Sequence, residues 1–347
     1  MEEKKFYKYP EIENSYQEGF IQRIKDDGFG DIPYIVMEKI HGSNSQVTYN
    51  LITKEFALGT RNNPLLEGEK FYNLEKCVEP FKEKIVKLAD KLYKDLSFYG
   101  QRLVSITLFG EIFGGSYPHK EVPMDKTAIK VQKAVFYSPS NQWLAFDIGY
   151  VVAGSERMYF LPGSLFITSC CNVGIPIVPI LASVETLDDA LAYQNNGESL
   201  VYDRYELPKI EGNIMEGIVI RPLMHDIWFG HNRLILKSKN DKFKEKWKAK
   251  KDEVPVELPE KVKQAIEEIS QYINRNRVHN VISKIGEVTV KDVGKVIMLT
   301  SQDVLNDYRK DYDTLDFIEK KDEKMVTKYM NGEIAKCVRD VIVFGME

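Results

Sequence analysis

The chain has little cysteine. Four stand in 347 residues, Cys77, Cys170, Cys171 and Cys337; two are adjacent and none forms a C-x-x-C pair. That spacing argues against a disulfide framework and a structural zinc site, and for reduced thiols of the cytosolic kind. A long apolar run is also missing: no stretch approaches the ~18 residues of a membrane span. Met1-Glu2-Glu3-Lys4-Lys5 is not followed by an apolar core of signal-peptide length. These absences predict a protein of the cytoplasm, or of a host's cytoplasm if viral, with no membrane partner. Nor is there an excess of one charge. Lys and Arg number 48 against 52 Asp and Glu, a formal charge of −4, so any nucleic-acid surface must be a local patch. No internal repeat is visible.

What is present makes an ordinary globular composition, 43% hydrophobic and 29% charged. The length predicts two domains. The spacing predicts a short helix from Tyr16 to Lys25. It predicts a second from Glu75 to Leu96, with Val78, Phe81, Ile85, Leu88 and Leu92 on one face. Strand signals recur around Ile35, Val47, Phe56, Ile106, Leu144, Tyr159, Ile218 and Leu234. Thr186 is placed to cap a helix through Tyr193. This mixture predicts an α+β domain of antiparallel sheets with helices over residues 1–243. From Lys242 to Lys250 lysine recurs at every second position, then Pro255 and Pro259 follow, so residues 244–257 read as a basic linker. Beyond it, Val262, Ile266, Ile269 and Ile273 make a helical stripe. Val278, Val281, Ile282 and Ile285 make another, closed by Gly286, with Thr289 and Thr300 as candidate N-caps. Residues 258–347 read as a small all-α domain.

The run Lys39-Ile40-His41-Gly42-Ser43 sits between the strand-like Tyr34–Glu38 and Gln46–Tyr49. A lysine followed three residues later by glycine suggests an amine nucleophile beside a tight turn, since glycine lets backbone approach a phosphate closely. A surface hairpin explains the same four residues. Downstream, charges interrupt or end apolar runs in order: Arg61, Glu111, Asp147 after Phe146, Glu216, then Lys237 and Lys239. Singly, each is an exposed residue of an alternating strand, and Phe146 a core aromatic. The ordered set is harder to explain that way.

That set resembles a known family. The order K-x-H-G, F-G-E, F-D, E-G-x-V and K-x-K is similar to that of the covalent nucleotidyltransferases, the ATP-dependent polynucleotide ligases and RNA capping enzymes. The fuller run from Glu38 to Asn44 resembles the RNA ligase 2 family of phage double-strand RNA ligases and kinetoplastid editing ligases. The segments 276–287, 291–296 and 299–303 are similar to the phage enzyme's C-terminal domain. Ser43 stands where threonine is frequent and Arg221 where lysine is frequent.

The resemblance implies an ATP-grasp-like nucleotidyltransferase domain followed by an all-α RNA-recognition domain. It implies that Lys39 takes AMP from ATP, with Lys237 and Lys239 neutralising phosphates and Glu216 associated with Mg2+ or Mn2+. Arg61 and Glu111 would contact ribose, Phe146 would stack on adenine, and Glu38 would meet the adenine edge. Ile40 and Asn44 would line the ATP site. His41, Arg277, Lys284 and Asp303 would contact RNA. The expected partner is RNA with 3′-hydroxyl and 5′-phosphate ends at a nick, and the expected state a monomer. Two rivals stay open: a capping guanylyltransferase, which transfers GMP, and a retired ligase that only binds RNA. K-x-H-G and the all-α segment oppose the first, and the intact lysines and glutamates the second.

Overall fold

A computed structural model describes residues 5–243 and 258–342, and leaves aside the side chains of residues 316 and 317. The linker expected over 244–257 lies outside the described residues, and so does most of the lysine alternation. The chain divides into two compact units, the first ending at Asn240 and the second starting at Asp241.

The first unit opens with β1 (Glu13–Asn14), α1 (Glu18–Asp26), β2 (Tyr34–Lys39), β3 (Ser43–Asn50) and β4 (Phe56–Thr60). Next come α2 (Leu74–Val78), α3 (Lys82–Phe98) and two long strands, β5 (Leu103–Ser116) and β6 (Ser138–Val152). Then follow β7 (Tyr159–Phe160), α4 (Gly163–Val173), β8 (Ile180–Val184), α5 (Leu187–Ala192) and α6 (Val201–Arg204). The unit closes with β9 (Gly217–Pro222), β10 (Trp228–Phe229), β11 (Asn232–Arg233) and β12 (Leu236–Lys239).

Two five-stranded sheets organise it. One has the order β1-β12-β9-β2-β8, the other β4-β3-β5-β6-β7. The pairings are antiparallel, as the strand patterns predict, except that β1 runs parallel to β12. Tyr34, Val36, Ile218, Ile220 and Leu236 leave water under the first sheet, beside Ile24 of α1 and Leu187 of α5. Each such side chain contributes roughly 1.5–3 kcal/mol on burial. That core holds β2, β9 and β12 side by side; β2 and β12 carry the lysines, and Glu216 immediately precedes β9.

The helix predicted over Glu75–Leu96 is broken. Pro80 lies in a 3-10 turn, Glu79–Phe81, between α2 and α3. Proline lacks the N–H that a continuous helix would use there. The apolar stripe survives the break, with Val78, Ile85, Leu88 and Leu92 buried. Thr186 caps α5, its side chain accepting from Asp189 N.

The second unit is helical: α7 (Glu260–Ser270), α8 (Arg275–Ile285), α9 (Val293–Asp311) and α10 (Lys320–Ile342). Val262, Ile266 and Ile269 meet Val278, Val304, Met330 and Ile334 in one core. Gly286 ends α8 at a φ of 101°, which disfavours any side chain. Thr289 caps a short 3-10 turn through a capping box with Asp292. Thr300 is not a cap: it is buried within α9, which begins two turns earlier at Val293. Among the described residues, no helix is long and apolar enough to cross a membrane.

Candidate active site

β2 delivers Lys39 at its last position, and the chain turns through Ile40, His41 and Gly42 into β3. The turn is packed from both sides. Tyr137, fully buried, accepts a hydrogen bond from His41 N at 2.8 Å. Glu111 of β5 accepts one from Gly42 N at 3.2 Å. A β-carbon on Gly42 would stand 2.3 Å from the Ile112 carbonyl oxygen and 2.9 Å from Glu111 Cγ. Glycine is needed here because β5 presses on the turn, a steric demand of the protein itself.

Lys39 pairs in register with Gly217 on β9, and Gly217 with Lys239 on β12. Glu216, just before β9, therefore sits between two amines. Its Oε2 is 2.8 Å from Lys39 Nζ and its Oε1 is 3.2 Å from Lys239 Nζ. His41 Nδ1 lies 3.5 Å from Oε2. A β-carbon on Gly217 would meet the Ser238 carbonyl oxygen at 2.1 Å, so glycine also lets β9 and β12 close behind the carboxylate. Lys237 lies two residues from Lys239 on β12, on the same face of the sheet.

Burial alone would raise the Glu216 carboxyl. Lys39 and then Lys239 outweigh it and hold Glu216 well below the usual carboxylate range. Glu111 goes the other way: loss of hydration pushes it up to about 8, and Lys39 and Arg61 only partly oppose this. Glu38 is pushed up to about 7 by burial, against hydrogen bonds from Ser199 and Leu200. The site thus keeps one carboxylate ionised while two others are raised toward neutral pH.

Buried acceptors are left over beside Lys39 and on β3. Glu38 Oε2 accepts from Leu200 N at 2.9 Å, whereas Glu38 Oε1 is buried with no hydrogen-bond partner among the described residues. Asn44 Oδ1 is in the same state. A buried unmet acceptor costs about 1–3 kcal/mol, so both fit a ligand that brings donors, as a nucleotide does. Among the described residues no three His, Cys, Asp or Glu side chains gather to enclose a metal. A single carboxylate still fits a magnesium-type ion, which takes one or two carboxylates and completes its shell with phosphate oxygens and water. Glu216 is the residue that would hold it.

Phe146 stands at an irregularity. Asp147 of β6 pairs with Phe109 and Ala145 with Gly110, which leaves Phe146 as the extra residue of a β-bulge. Asp147 is fully buried. Tyr9 donates to its Oδ2 at 2.9 Å, Arg221 Nη1 lies 3.0 Å from Oδ1, and Arg233 Nη1 binds Oδ2. Burial would raise this carboxyl, but Arg221 and Arg233 hold it below its ordinary value. Arg221 also donates to the carbonyls of Leu161 and Phe146. Arginine's fork therefore makes contacts at this position that a lysine could not reproduce.

The expected RNA contacts of the second unit lie together within that unit. Arg277 is buried, its Nη1 2.5 Å from Asp303 Oδ2 and 2.9 Å from Asp307 Oδ2. Lys284 Nζ is 3.1 Å from Asp303 Oδ1. Arg277 and Asp303 thus form a bracket between α8 and α9. Lys291 and Lys295 are exposed.

Sequence reasoning finds the residues that carry charge and misses those that hold them. Tyr137, Tyr9 and Arg233 lie outside every motif. An isolated tyrosine in a loop has no periodic signal, and only the fold shows what it touches.

Comparison with known proteins places these observations. A family model described as RNA ligase matches residues 32–239, and one described as T4 RNA ligase 2 C-terminal matches residues 256–336. The mitochondrial RNA-editing ligase 1 of Trypanosoma brucei brucei is 26% identical over 358 aligned positions, covering 86% of this chain and 74% of that protein. Mitochondrial RNA-editing ligase 2 of the same organism is 26% identical over 157 residues, covering 42% of this chain and 37% of that protein. A solved RNA ligase mutant of Naegleria gruberi, with ATP and Mn, aligns with 69% of this chain and 57% of its own, at 16% identity and a TM-score of 0.43. The first family model covers more than half of the sequence and the second most of the remainder, so this chain belongs to the RNA ligase family, on its RNA ligase 2 branch.

Proposed function

We propose that this RNA ligase uses ATP to join a 3′-hydroxyl to a 5′-phosphate at nicks in duplex or bridged RNA, in RNA repair or processing. The observation that carries the reading is Lys39 at the end of β2, bracketed with Lys239 around Glu216. Lys39 Nζ gives up its proton and attacks the α-phosphorus of ATP, forming a lysyl-AMP, and pyrophosphate leaves. AMP passes to the RNA 5′-phosphate as a 5′-5′ diphosphate. The 3′-hydroxyl then displaces AMP and the phosphodiester forms. Each step is an in-line displacement, so positioning and charge stabilisation dominate catalysis.

The residues divide this work. Lys237 and Lys239 neutralise the phosphates, and a divalent ion at Glu216 would stabilise the departing pyrophosphate. Glu111 and Arg61 meet the ribose, Glu38 the adenine edge, Phe146 the adenine face. Ile40 and Asn44 complete the ATP site, and His41 stands toward the phosphates and the RNA end. The helical unit binds the duplex through exposed cations such as Lys291 and Lys295. We expect a monomer, and its free thiols suit the reducing cytoplasm.

The test is covalent labelling. Incubation with radiolabelled ATP or GTP and Mg2+, followed by a denaturing gel, should give a labelled band from ATP alone. Label from GTP would mean a capping-type transferase, and no label a retired enzyme. Sealing of a nicked RNA duplex then tests the substrate.

A further inference from the structure

The segment before α1 lies outside both family matches, the first of which begins at residue 32. It runs across three strands that carry proposed nucleotide contacts. Phe6 covers Gly59 of β4, two residues before Arg61: a β-carbon on Gly59 would come within 2.7 Å of Phe6 Cε2. Tyr9 reaches β6. Farther on, β1 pairs with Leu236 and Lys237 of β12, and Ser15 N donates to Lys237 O at 3.0 Å.

Tyr9 makes the closest junction. It is buried, and its hydroxyl is fixed on Asp147 at 2.9 Å. Its ring meets Phe146 edge-on, with centroids 5.0 Å apart and planes at 74°. It also packs on Phe109 at 4.9 Å. Phe146 is the unpaired residue of the β6 bulge, so ladder hydrogen bonds do not set its direction. The Tyr9 ring supplies a brace where the bulge removes the ladder's. Edge-to-face aromatic pairs have a preferred geometry and so orient a ring as well as bury it.

We propose that Tyr9 is a positioning residue, and that the N-terminal segment orients Phe146 as the nucleobase platform from outside the matched domain. The inference rests on the adenylation reading above. Tyr9 touches no substrate. It acts on the base-binding end of the site and leaves the phosphate end alone.

The experiment measures the ATP dependence of self-adenylation in the whole protein, with Tyr9→Leu and Tyr9→Phe beside wild type. Inhibition by inorganic tripolyphosphate, which has no base, is measured in parallel. For Tyr9→Leu, KM for ATP should rise about threefold or more, with kcat and tripolyphosphate inhibition little changed. Tyr9→Phe keeps the ring edge and should stay near wild type in KM. If Tyr9→Leu does not fold, as judged by thermal melting, Tyr9→Met makes the same comparison. An unchanged KM in the ring-less variant overturns the positioning role, and so does equal weakening of ATP and tripolyphosphate. Wild-type protein that takes no label from ATP would overturn the adenylation reading instead, and the two failures are distinct.

Discussion

Lys39 Nζ lies 2.8 Å from Glu216 Oε2, on a carboxylate held well below the usual range. The amine proposed as nucleophile is thus tied to a buried carboxylate. Lys239 shares that carboxylate through Oε1. A ligand that draws this carboxylate away should let both amines turn to its phosphates.

Replacing Lys39 by alanine should abolish the covalent adenylate, because Lys239 and Lys237 are held on another strand with Glu216 between. A denaturing gel after incubation with labelled ATP reads this directly. The same variant should still seal a pre-adenylated RNA nick, since the last step needs the pocket but no amine. A stable labelled band in Lys39→Ala would remove the lysine from its role.

Lys237→Ala and Lys239→Ala, made separately, should each slow self-adenylation by roughly a hundredfold, the order of loss when one donor to developing charge is removed. Single-turnover rates at neutral pH check this. Normal rates in both variants would return the pair to ordinary exposed strand lysines.

The raised carboxyls give a pH signature. Glu111 titrates near 8 in the folded protein, against about 4.3 unfolded. Between those values the folded chain binds the proton and the unfolded chain does not, so stability falls as pH rises through the window. Glu216 acts oppositely: its contribution is present above the unfolded value and is lost as pH falls through its lowered folded one. Urea midpoints at pH 5.5 and 8 should therefore drop toward pH 8 in wild type and drop less in Glu111→Gln. Parallel pH curves would contradict the burial of that carboxyl.

Much of this was legible before the fold. Strands around Ile35, Val47, Ile106 and Ile218 follow from their apolar runs, and the lysine turn from K-x-H-G. Two kinds of information were not legible. Strand β8 and helix α4 lie in an apolar stretch, 161–184, whose periodicity marks neither, although Gly174 at a φ of 73° ends α4 as a glycine should. Buried charge pairing was not legible either: nothing in the sequence shows that Arg277 meets Asp303 and Asp307. Thr300 looked like a cap because a hydroxyl before a polar run is a start signal, yet it lies inside a longer helix.

The second unit holds two groups of cations with different expected behaviour. Arg277→Ala leaves Asp303 and Asp307 without their shared partner, and both are partly open to water. The unit should lose about 1–3 kcal/mol of stability, and nick sealing should fall through unfolding rather than through salt-sensitive binding. Lys291 and Lys295 are exposed. Changing both to alanine should leave the melting temperature alone and weaken binding to nicked RNA duplex. It should also flatten the slope of log affinity against log salt, by about 0.9 for each phosphate that these lysines neutralise. A fragment of residues 1–250 lacks both groups but keeps every residue assigned to ATP. It should adenylate itself, fail to seal a nick, and show none of the salt response. The whole protein should prefer ribose on the 3′-hydroxyl side, because the 2′-hydroxyl and A-form shape distinguish RNA. Full-rate sealing by the fragment would remove the helical unit from recognition, and equal sealing of an all-DNA nick would remove RNA as the preferred strand.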